Sequence, residues 1–126
     1  MFPICPGSKR PLPGSHGYLD ATTDVEQIEA WWRKTPEANI AAPTGVVFDV
    51  IDVEMAHLDA FLKWFGDPTN YPCVRTPSGG LHVYVAVTGK RCQRLWFGDF
   101  KGKGGYVLLP PSEIKHSLYH DYKGLE

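Results

Sequence analysis

The spacing of hydrophobic residues predicts two helices and several short strands. Apolar residues recur three and four positions apart over residues 23–34 and 58–65, as on one face of a helix. Thr23 and Glu26 form a capping box that begins the first helix. Apolar side chains alternate with others over residues 81–87, which predicts a strand. Further strands are expected at residues 2–5, 39–42, 46–54, 73–76, 95–101 and 106–109.

This order of elements is typical of the α+β class, with a mostly antiparallel sheet and two main helices on one of its faces. The 126 residues are expected to form a single domain, 1–126. Residues 6–20 are rich in proline and glycine, so they form neither a helix nor a central strand. A loop of this length is either anchored or functional, and it contains Lys9.

The strand predicted over residues 46–54 carries three acids, whereas an ordinary buried strand carries none. Alternation along a strand directs Asp52 and Glu54 to one face and Asp49 to the other. Because their Cα atoms lie about 6–7 Å apart, Asp52 and Glu54 can converge on a divalent cation. Alternatively, both acids are solvated where the strand leaves the core, or Glu54 favours the start of the next helix. Asp49 is assigned a structural role.

A glycine-rich turn precedes the strand at 81–87. The backbone of Gly79 and Gly80 allows close approach of an anion, and Ser78 adds a hydroxyl donor. His82 lies on the polar face of the strand and could reach the same anion. Equally, this is an ordinary turn before a strand, with a structural histidine.

A second glycine-rich segment lies at residues 98–106, within a basic stretch. Asp99 and Lys101 share one face of the predicted strand, and a carboxylate beside lysines suits a site for a metal and a triphosphate. The alternative is a charged hairpin tip in solvent. The cations of the stretch are Lys90, Arg91, Arg94, Lys101 and Lys103.

Composition and charge exclude some classes of protein but do not identify the function. The net charge is −1, so only the local basic stretch indicates a surface that faces phosphates. The sequence has no apolar run of about 20 residues that would span a membrane, and the first residues do not read as a secretory signal. A cytoplasmic location is expected. The three cysteines, Cys5, Cys73 and Cys92, are far apart and are expected to be free thiols.

Three carboxylates on strands, a glycine-rich turn with a histidine and a basic stretch are together the components of two-metal phosphoryl or nucleotidyl transfer. The sequence resembles the N-terminal primase–polymerase (Prim-Pol) domain of bifunctional DNA primase/polymerases, in the archaeo-eukaryotic primase superfamily. The matching segments are residues 6–11, 20–24, 31–32, 39–40, 52–54, 75–82, 99–101, 104–107 and 110–112.

The resemblance implies an RRM-like catalytic core that polymerises nucleotides on a template with Mg²⁺ or Mn²⁺. It implies that Asp52, Glu54 and Asp99 are the catalytic metal ligands. It assigns Ser78, Gly79, Gly80 and His82 to the phosphates of the nucleotide, with Lys101 as a further phosphate contact and Lys9 as a basic residue of the N-terminal loop. The expected partners are a DNA template and primer, nucleoside triphosphates and a separate helicase.

The resulting hypothesis is a minimal template-directed nucleotidyltransferase, a DNA primase/polymerase core. The sequence lacks the helix that usually opens the domain in the family and any helicase domain, which suggests a phage or mobile-element protein. The first alternative is a catalytically inactive remnant that binds nucleic acid or nucleotides. The second is a metal-dependent nuclease that uses the same carboxylates.

Overall fold

The structure, a computed structural model, describes residues 1–124. Its helices are α1 (Val25–Lys34) and α2 (Leu58–Phe65), with single 3₁₀ turns at Gly17–Asp20 and Met55–His57. The strands are β1 (Phe2–Ile4), β2 (Asn39–Pro43), β3 (Phe48–Val53), β4 (Cys73–Arg75), β5 (Leu81–Ala86), β6 (Gln93–Leu95), β7 (Gly98–Lys101), β8 (Tyr106–Leu109), β9 (Glu113–Ile114), β10 (Ser117–Leu118) and β11 (His120–Asp121). The predicted α+β class, with two helices and mostly antiparallel sheets, is confirmed.

The largest sheet has six strands in the order β11-β4-β5-β3-β7-β6. Its neighbouring strands are all antiparallel. A second sheet has three strands in the order β1-β2-β8, and β9 and β10 form a hairpin. The predicted acidic strand, β3, lies between β5 and β7, so both of its edges are hydrogen-bonded.

Two hydrophobic cores lie on opposite faces of the six-stranded sheet. The first core joins Leu58 and Phe61 of α2 to Val53 and Val83 of the sheet. The second joins Val74 and Tyr84 to the three-stranded sheet, with Trp31 of α1 packed against it; its other buried members are Phe2, Ile4, Ala41, Leu108 and Tyr119. Side chains alternate along a strand, so β5 contributes to both cores.

The prediction that both helices lie on one face of the sheet was therefore wrong. Val50 and Val53 are fully buried on opposite faces of β3, which requires a cover on each side. Helix α2 covers one face, and the three-stranded sheet with α1 covers the other. The pairing of β1, β2 and β8 links residues far apart in the chain, so no local pattern indicated a second sheet.

Several element boundaries differ from the predictions. Strand β3 begins at Phe48, and Val46 and Val47 are exposed in the turn before it. Asp24 rather than Thr23 caps α1, because its carboxylate accepts the N–H of Glu26.

One predicted strand, at residues 95–101, is in fact two. Trp96 and Phe97 form the connection between β6 and β7, so this segment is a hairpin. Three short strands after residue 112, β9 to β11, had no signal in the hydrophobic pattern.

The first part of the proline- and glycine-rich loop after β1 is anchored by hydrogen bonds. The N–H of Cys5 donates to the carbonyl of Arg10 at 2.8 Å, which closes the first turn. The buried side-chain amide of Asn39 donates to the carbonyls of Ser8 and Glu113, and its oxygen accepts the N–H of Glu113. This fixes the loop that carries Lys9 against the three-stranded sheet.

Candidate active site

Four polar side chains form a row across the six-stranded sheet, one from each of four neighbouring strands. Asp52 of β3 lies opposite His82 of β5 on one side and opposite Asp99 of β7 on the other. Asp99 in turn lies opposite Arg94 of β6. Directly paired residues in an antiparallel sheet have Cα atoms about 4.5–5.5 Å apart and side chains on the same face. The row therefore brings two carboxylates and two cationic or titratable side chains together.

Gly98 allows β7 to approach β3 closely at this row. It is paired with Val53, next to the Asp52–Asp99 pair. A Cβ atom at Gly98 would collide with the carbonyl oxygen of Asp52, so another residue does not fit. The next peptide continues the contact, because the N–H of Glu54 donates to the carbonyl of Phe97 at 2.9 Å.

Asp52 and His82 form a close pair at the floor of the site. The Nε2 atom of His82 lies 3.6 Å from Oδ1 of Asp52, and the side chain of His82 is only 7% exposed. Burial raises the pKa of Asp52, but the close contact and charge of His82, with Lys101 and Lys9, outweigh it and hold that pKa below its usual value. The carboxylate is therefore ionised, and the arrangement around it favours negative charge.

His82, which was predicted to contact phosphates, lies beside Asp52 and lines the cleft above it. Its ring packs against Tyr119 with centroids 5.9 Å apart, and within residues 1–124 its Nδ1 atom has no hydrogen-bond partner. Its nearest charged group is thus the carboxylate of Asp52, which it can orient.

Glu54 lies just past the end of β3, at the cap of the short 3₁₀ turn. The carboxylate of Glu54 forms an ion pair with Arg94, whose Nη1 atom lies 2.5 Å from Oε1 of Glu54. The same Nη1 atom lies 3.4 Å from Oδ1 of Asp99. The hydrogen bond from Arg94 lowers the pKa of Glu54, and the same two carboxylates raise the pKa of Arg94. One guanidinium therefore joins two of the three predicted metal ligands.

The glycine-rich turn lies beside the end of β3 and lines the same cleft as Glu54. Its N–H groups are partly used inside the turn, since Gly79 donates to the carbonyl of Thr76 at 2.9 Å. The two glycines are required for different reasons. A Cβ atom at Gly80 would collide with the carbonyl oxygen of Val53, whereas Gly79 has a φ of +93°, a left-handed conformation that favours glycine. The Ser78 hydroxyl lies 3.3 Å from that of Thr76. The turn holds β5 close to the end of β3, and Ser78 is one of the side-chain donors that line the cleft.

Two adjoining hollows open over this row, with volumes of about 380 Å³ and about 440 Å³. Both are lined by Lys9, Asp52, His82 and Tyr119. Lys101 lines the first, and its Nζ atom is 4.0 Å from Oδ2 of Asp99. Volumes in this range accommodate a small ligand such as a nucleotide. The predicted basic residues, Lys9 and Lys101, therefore lie in the same cleft as the carboxylates.

A larger hollow lies elsewhere, at the β4–β11 edge of the sheet, with a volume of about 870 Å³. It is lined by Tyr71, Tyr84 and Tyr122, with Asp121 as its one acid and Lys123 as its one lysine. By contrast, three carboxylates border the hollow of about 440 Å³ over the row. The candidate site is therefore identified by the carboxylates that line it and not by its volume.

The donor atoms of the cleft fit a divalent cation. Carboxylate oxygens are the ligands that Mg²⁺ and Mn²⁺ prefer, and Asp52, Glu54 and Asp99 supply six of them. Glu54 and Asp99 already hold a cation, the guanidinium of Arg94. Within residues 1–124, however, no three acidic, histidine or cysteine side chains are arranged as a ready-made metal centre. The carboxylates would have to converge further on a metal.

Two residues of the site were missed from the sequence. From the sequence, Arg94 was assigned only to the basic stretch. A hairpin with a two-residue turn at Trp96–Phe97 would have paired Arg94 with Asp99. Tyr119 lies beyond the last predicted strand, and burial, together with the charge of Asp52, raises its pKa to about 12. No local pattern indicated that it would pack on His82.

Asp49 lies on the other face of β3 from this site. It is fully buried, and its Oδ2 atom accepts the N–H and the hydroxyl of Thr88 at 2.9 Å and 2.8 Å. Its role is to hold the turn that follows β5.

The sequence model of the family described as bifunctional DNA primase/polymerase, N-terminal, matches residues 1–125. The chain belongs to this Prim-Pol family. The match covers the segments that contain Asp52, His82 and Asp99, so the row across the sheet lies in a primase/polymerase-type nucleotidyltransferase domain. No curated protein matches the Prim-Pol chain at a significant level. Within residues 1–124, neither helix is long and apolar enough to cross a membrane.

Proposed function

We propose that this chain is a catalytic Prim-Pol core, which extends a primer on a DNA template by transferring nucleotides from nucleoside triphosphates. The observation that carries the proposal is the pairing of Asp52 with Asp99 across β3 and β7, beneath a cleft lined by Lys9 and Lys101. Carboxylates beside lysines are what nucleotidyl transfer requires, because the reaction gathers negative charge on the phosphates. On this proposal residues 1–126 act as one domain.

Asp52, Glu54 and Asp99 are the residues that would hold two divalent cations, Mg²⁺ or Mn²⁺. Such cations supply positive charge to the triphosphate and lower the pKa of the primer 3′-hydroxyl. His82 orients the Asp52 carboxylate and keeps it ionised, since its Nε2 atom lies 3.6 Å away. His82 also lines both hollows, so it is assigned to the phosphates of the nucleotide as well.

The lysines of the cleft are assigned to the triphosphate. Lys101 lines the hollow above Asp52 and approaches Asp99, so it can offset phosphate charge next to the carboxylates. The backbone of Lys9 is held in place, because its carbonyl accepts the hydroxyl of Tyr106 at 2.8 Å. Ser78 borders the second hollow and can donate its hydroxyl to a phosphate oxygen.

The test is a gel assay with a labelled primer–template, deoxynucleoside or ribonucleoside triphosphates and Mn²⁺. The purified chain is expected to lengthen the primer. Asp52→Asn keeps the shape of the side chain but removes its charge, and is expected to reduce extension at least about 100-fold. Asp59→Asn is the matched control, because Asp59 is an exposed acid on α2 at the opposite face of the sheet. It should retain full activity.

The same gel separates the alternatives. A primer that becomes shorter with Mn²⁺ would identify a nuclease and contradict polymerisation. A primer that is bound, by gel shift, but never extended would identify an inactive binding module. The ion pairs of Arg94 with Glu54 and Asp99 are the observation that favours this second candidate, because they engage two of the predicted ligands. A separate helicase and a phage or mobile-element origin remain predictions.

A further inference from the structure

Arg94 lies where a cation for Glu54 and Asp99 would lie. A single nitrogen, Nη1, is 2.5 Å from Oε1 of Glu54 and 3.4 Å from Oδ1 of Asp99. A guanidinium at these distances and a divalent metal bound to the same two carboxylates disfavour each other, because like charges repel.

The two acids depend on Arg94 more than Asp52 does. Asp52 is surrounded by other cationic or titratable groups, His82, Lys101 and Lys9. Glu54 is chiefly neutralised by Arg94, with a smaller contribution from His57. Asp99 has Arg94 on one side and only a distant contact, 4.0 Å, to Lys101 on the other. Without Arg94, neighbouring carboxylates would repel one another in the metal-free protein.

The side chain of Arg94 can also move away from the two carboxylates at low cost. Arg94 projects from β6, which is the edge strand of the six-stranded sheet, and its side chain is 60% exposed. An exposed arginine that rotates into solvent regains its hydration, and exposed ion pairs are weak and sensitive to salt. The Arg94 side chain therefore contacts both carboxylates directly, and little free energy is needed to move it into solvent.

We propose that Arg94 is a built-in counter-ion that competes with the divalent cation for Glu54 and Asp99. In the metal-free protein it holds the two carboxylates in place, and it swings out of the cleft when metal binds. The inference rests on the proposed function for its metal, but not on catalysis. Arg94 is a positioning residue in this view, and it acts through the two carboxylates.

The experiment measures Mn²⁺ binding by calorimetry, without DNA or nucleotides. Arg94→Gln removes the competing charge, so it is expected to bind Mn²⁺ about three- to tenfold more tightly than the unaltered chain. Arg94→Lys should lie between them, because lysine keeps the charge but contacts the carboxylates through a single ammonium group. Arg91→Gln is the matched control: it removes an equal charge from an exposed neighbour in the same stretch. It should change the affinity less than twofold.

Several outcomes would overturn the inference. Equal or weaker Mn²⁺ binding by Arg94→Gln would mean that Arg94 organises the site for metal. An equal gain in Arg91→Gln would mean a general charge effect. If Mn²⁺ binding is lost in Asp52→Asn but is not strengthened in Arg94→Gln, only this inference fails. If neither the unaltered chain nor Arg94→Gln binds Mn²⁺, the metal-dependent function fails with it. Circular dichroism of each variant checks that the fold is kept.

Discussion

The phenol of Tyr84 illustrates how a single buried polar atom affects the second core. Within residues 1–124 its hydroxyl has no hydrogen-bond partner, and burial, with smaller effects from Tyr119 and Asp121, raises its pKa to about 12. An unsatisfied buried donor costs about 1–3 kcal/mol. Tyr84→Phe is therefore expected to raise the free energy of unfolding by about 1 kcal/mol, measured by urea denaturation.

Tyr106→Phe is the control for that prediction. Its hydroxyl does have a partner, the carbonyl of Lys9 at 2.8 Å, and its ring contacts Phe2 edge-on. The same chemical change should there lower the free energy of unfolding by about 1 kcal/mol. Destabilisation of similar size in both variants would mean that the Tyr84 hydroxyl is satisfied.

At the residue scale, the sequence indicated which side chains are chemically interesting but not how they pair. Asp52, Glu54 and Asp99 were found as acids on strands, and Lys101 as their neighbour. That Asp52 lies opposite both His82 and Asp99 depends on the register of three strands, which is fixed by contacts distant in the chain. The engagement of Glu54 with Arg94 depends on the same register, so it could not be read from local spacing.

Among the elements, β7 determines the geometry of the site, because it brings Asp99 beside Asp52. Its first residue, Gly98, has no room for a Cβ atom against the carbonyl oxygen of Asp52. Gly98→Ala is therefore expected to push β7 away from β3 and to lower the free energy of unfolding by about 2–4 kcal/mol. Thermal denaturation followed by circular dichroism measures the effect.

Gly89→Ala separates crowding from backbone strain. Gly89 has φ of +83°, and no atom lies within 4 Å of the position that a Cβ would take, so only the left-handed conformation penalises alanine there. That cost is about 1–2 kcal/mol. If Gly98→Ala is no more destabilising than Gly89→Ala, the close approach of β7 to β3 is not required for the fold.

The elements with a strong periodic pattern were predicted well, and those formed by long-range pairing were not. Helix α2 and strand β5 follow their apolar spacing almost to the residue. The β6–β7 hairpin was read as one strand because Trp96 and Phe97, at its turn, are typical strand residues. Strands β9 to β11 are two residues each, too short for any period to appear.

At the scale of the whole molecule, both cores contain groups that burial keeps protonated. Burial, aided by the charge of Asp67, raises the pKa of Cys73 in the first core to about 11. In the second core it raises the pKa values of Tyr84 and Tyr119 to about 12. The unfolded chain loses these protons near pH 9 for the thiol and near pH 10 for the phenols. Above those values the unfolded state binds fewer protons than the folded state, so stability falls as pH rises.

The free energy of unfolding should therefore fall from about pH 9 upward, first through the thiol and then through the phenols. Urea denaturation at pH 7, 9, 10 and 11 follows the fall, which for each group reaches about 1.4 kcal/mol per unit of pKa difference only above its folded-state pKa. Cys73→Ala creates a cavity and lowers the free energy of unfolding at every pH. It should also make the free energy of unfolding fall less steeply just above pH 9, because the thiol is gone. Cys92→Ala removes an exposed thiol and should leave the slope unchanged. An unaltered slope in Cys73→Ala would show that the first core does not discriminate against the thiolate. The loss of stability at alkaline pH would then come from the tyrosines of the second core.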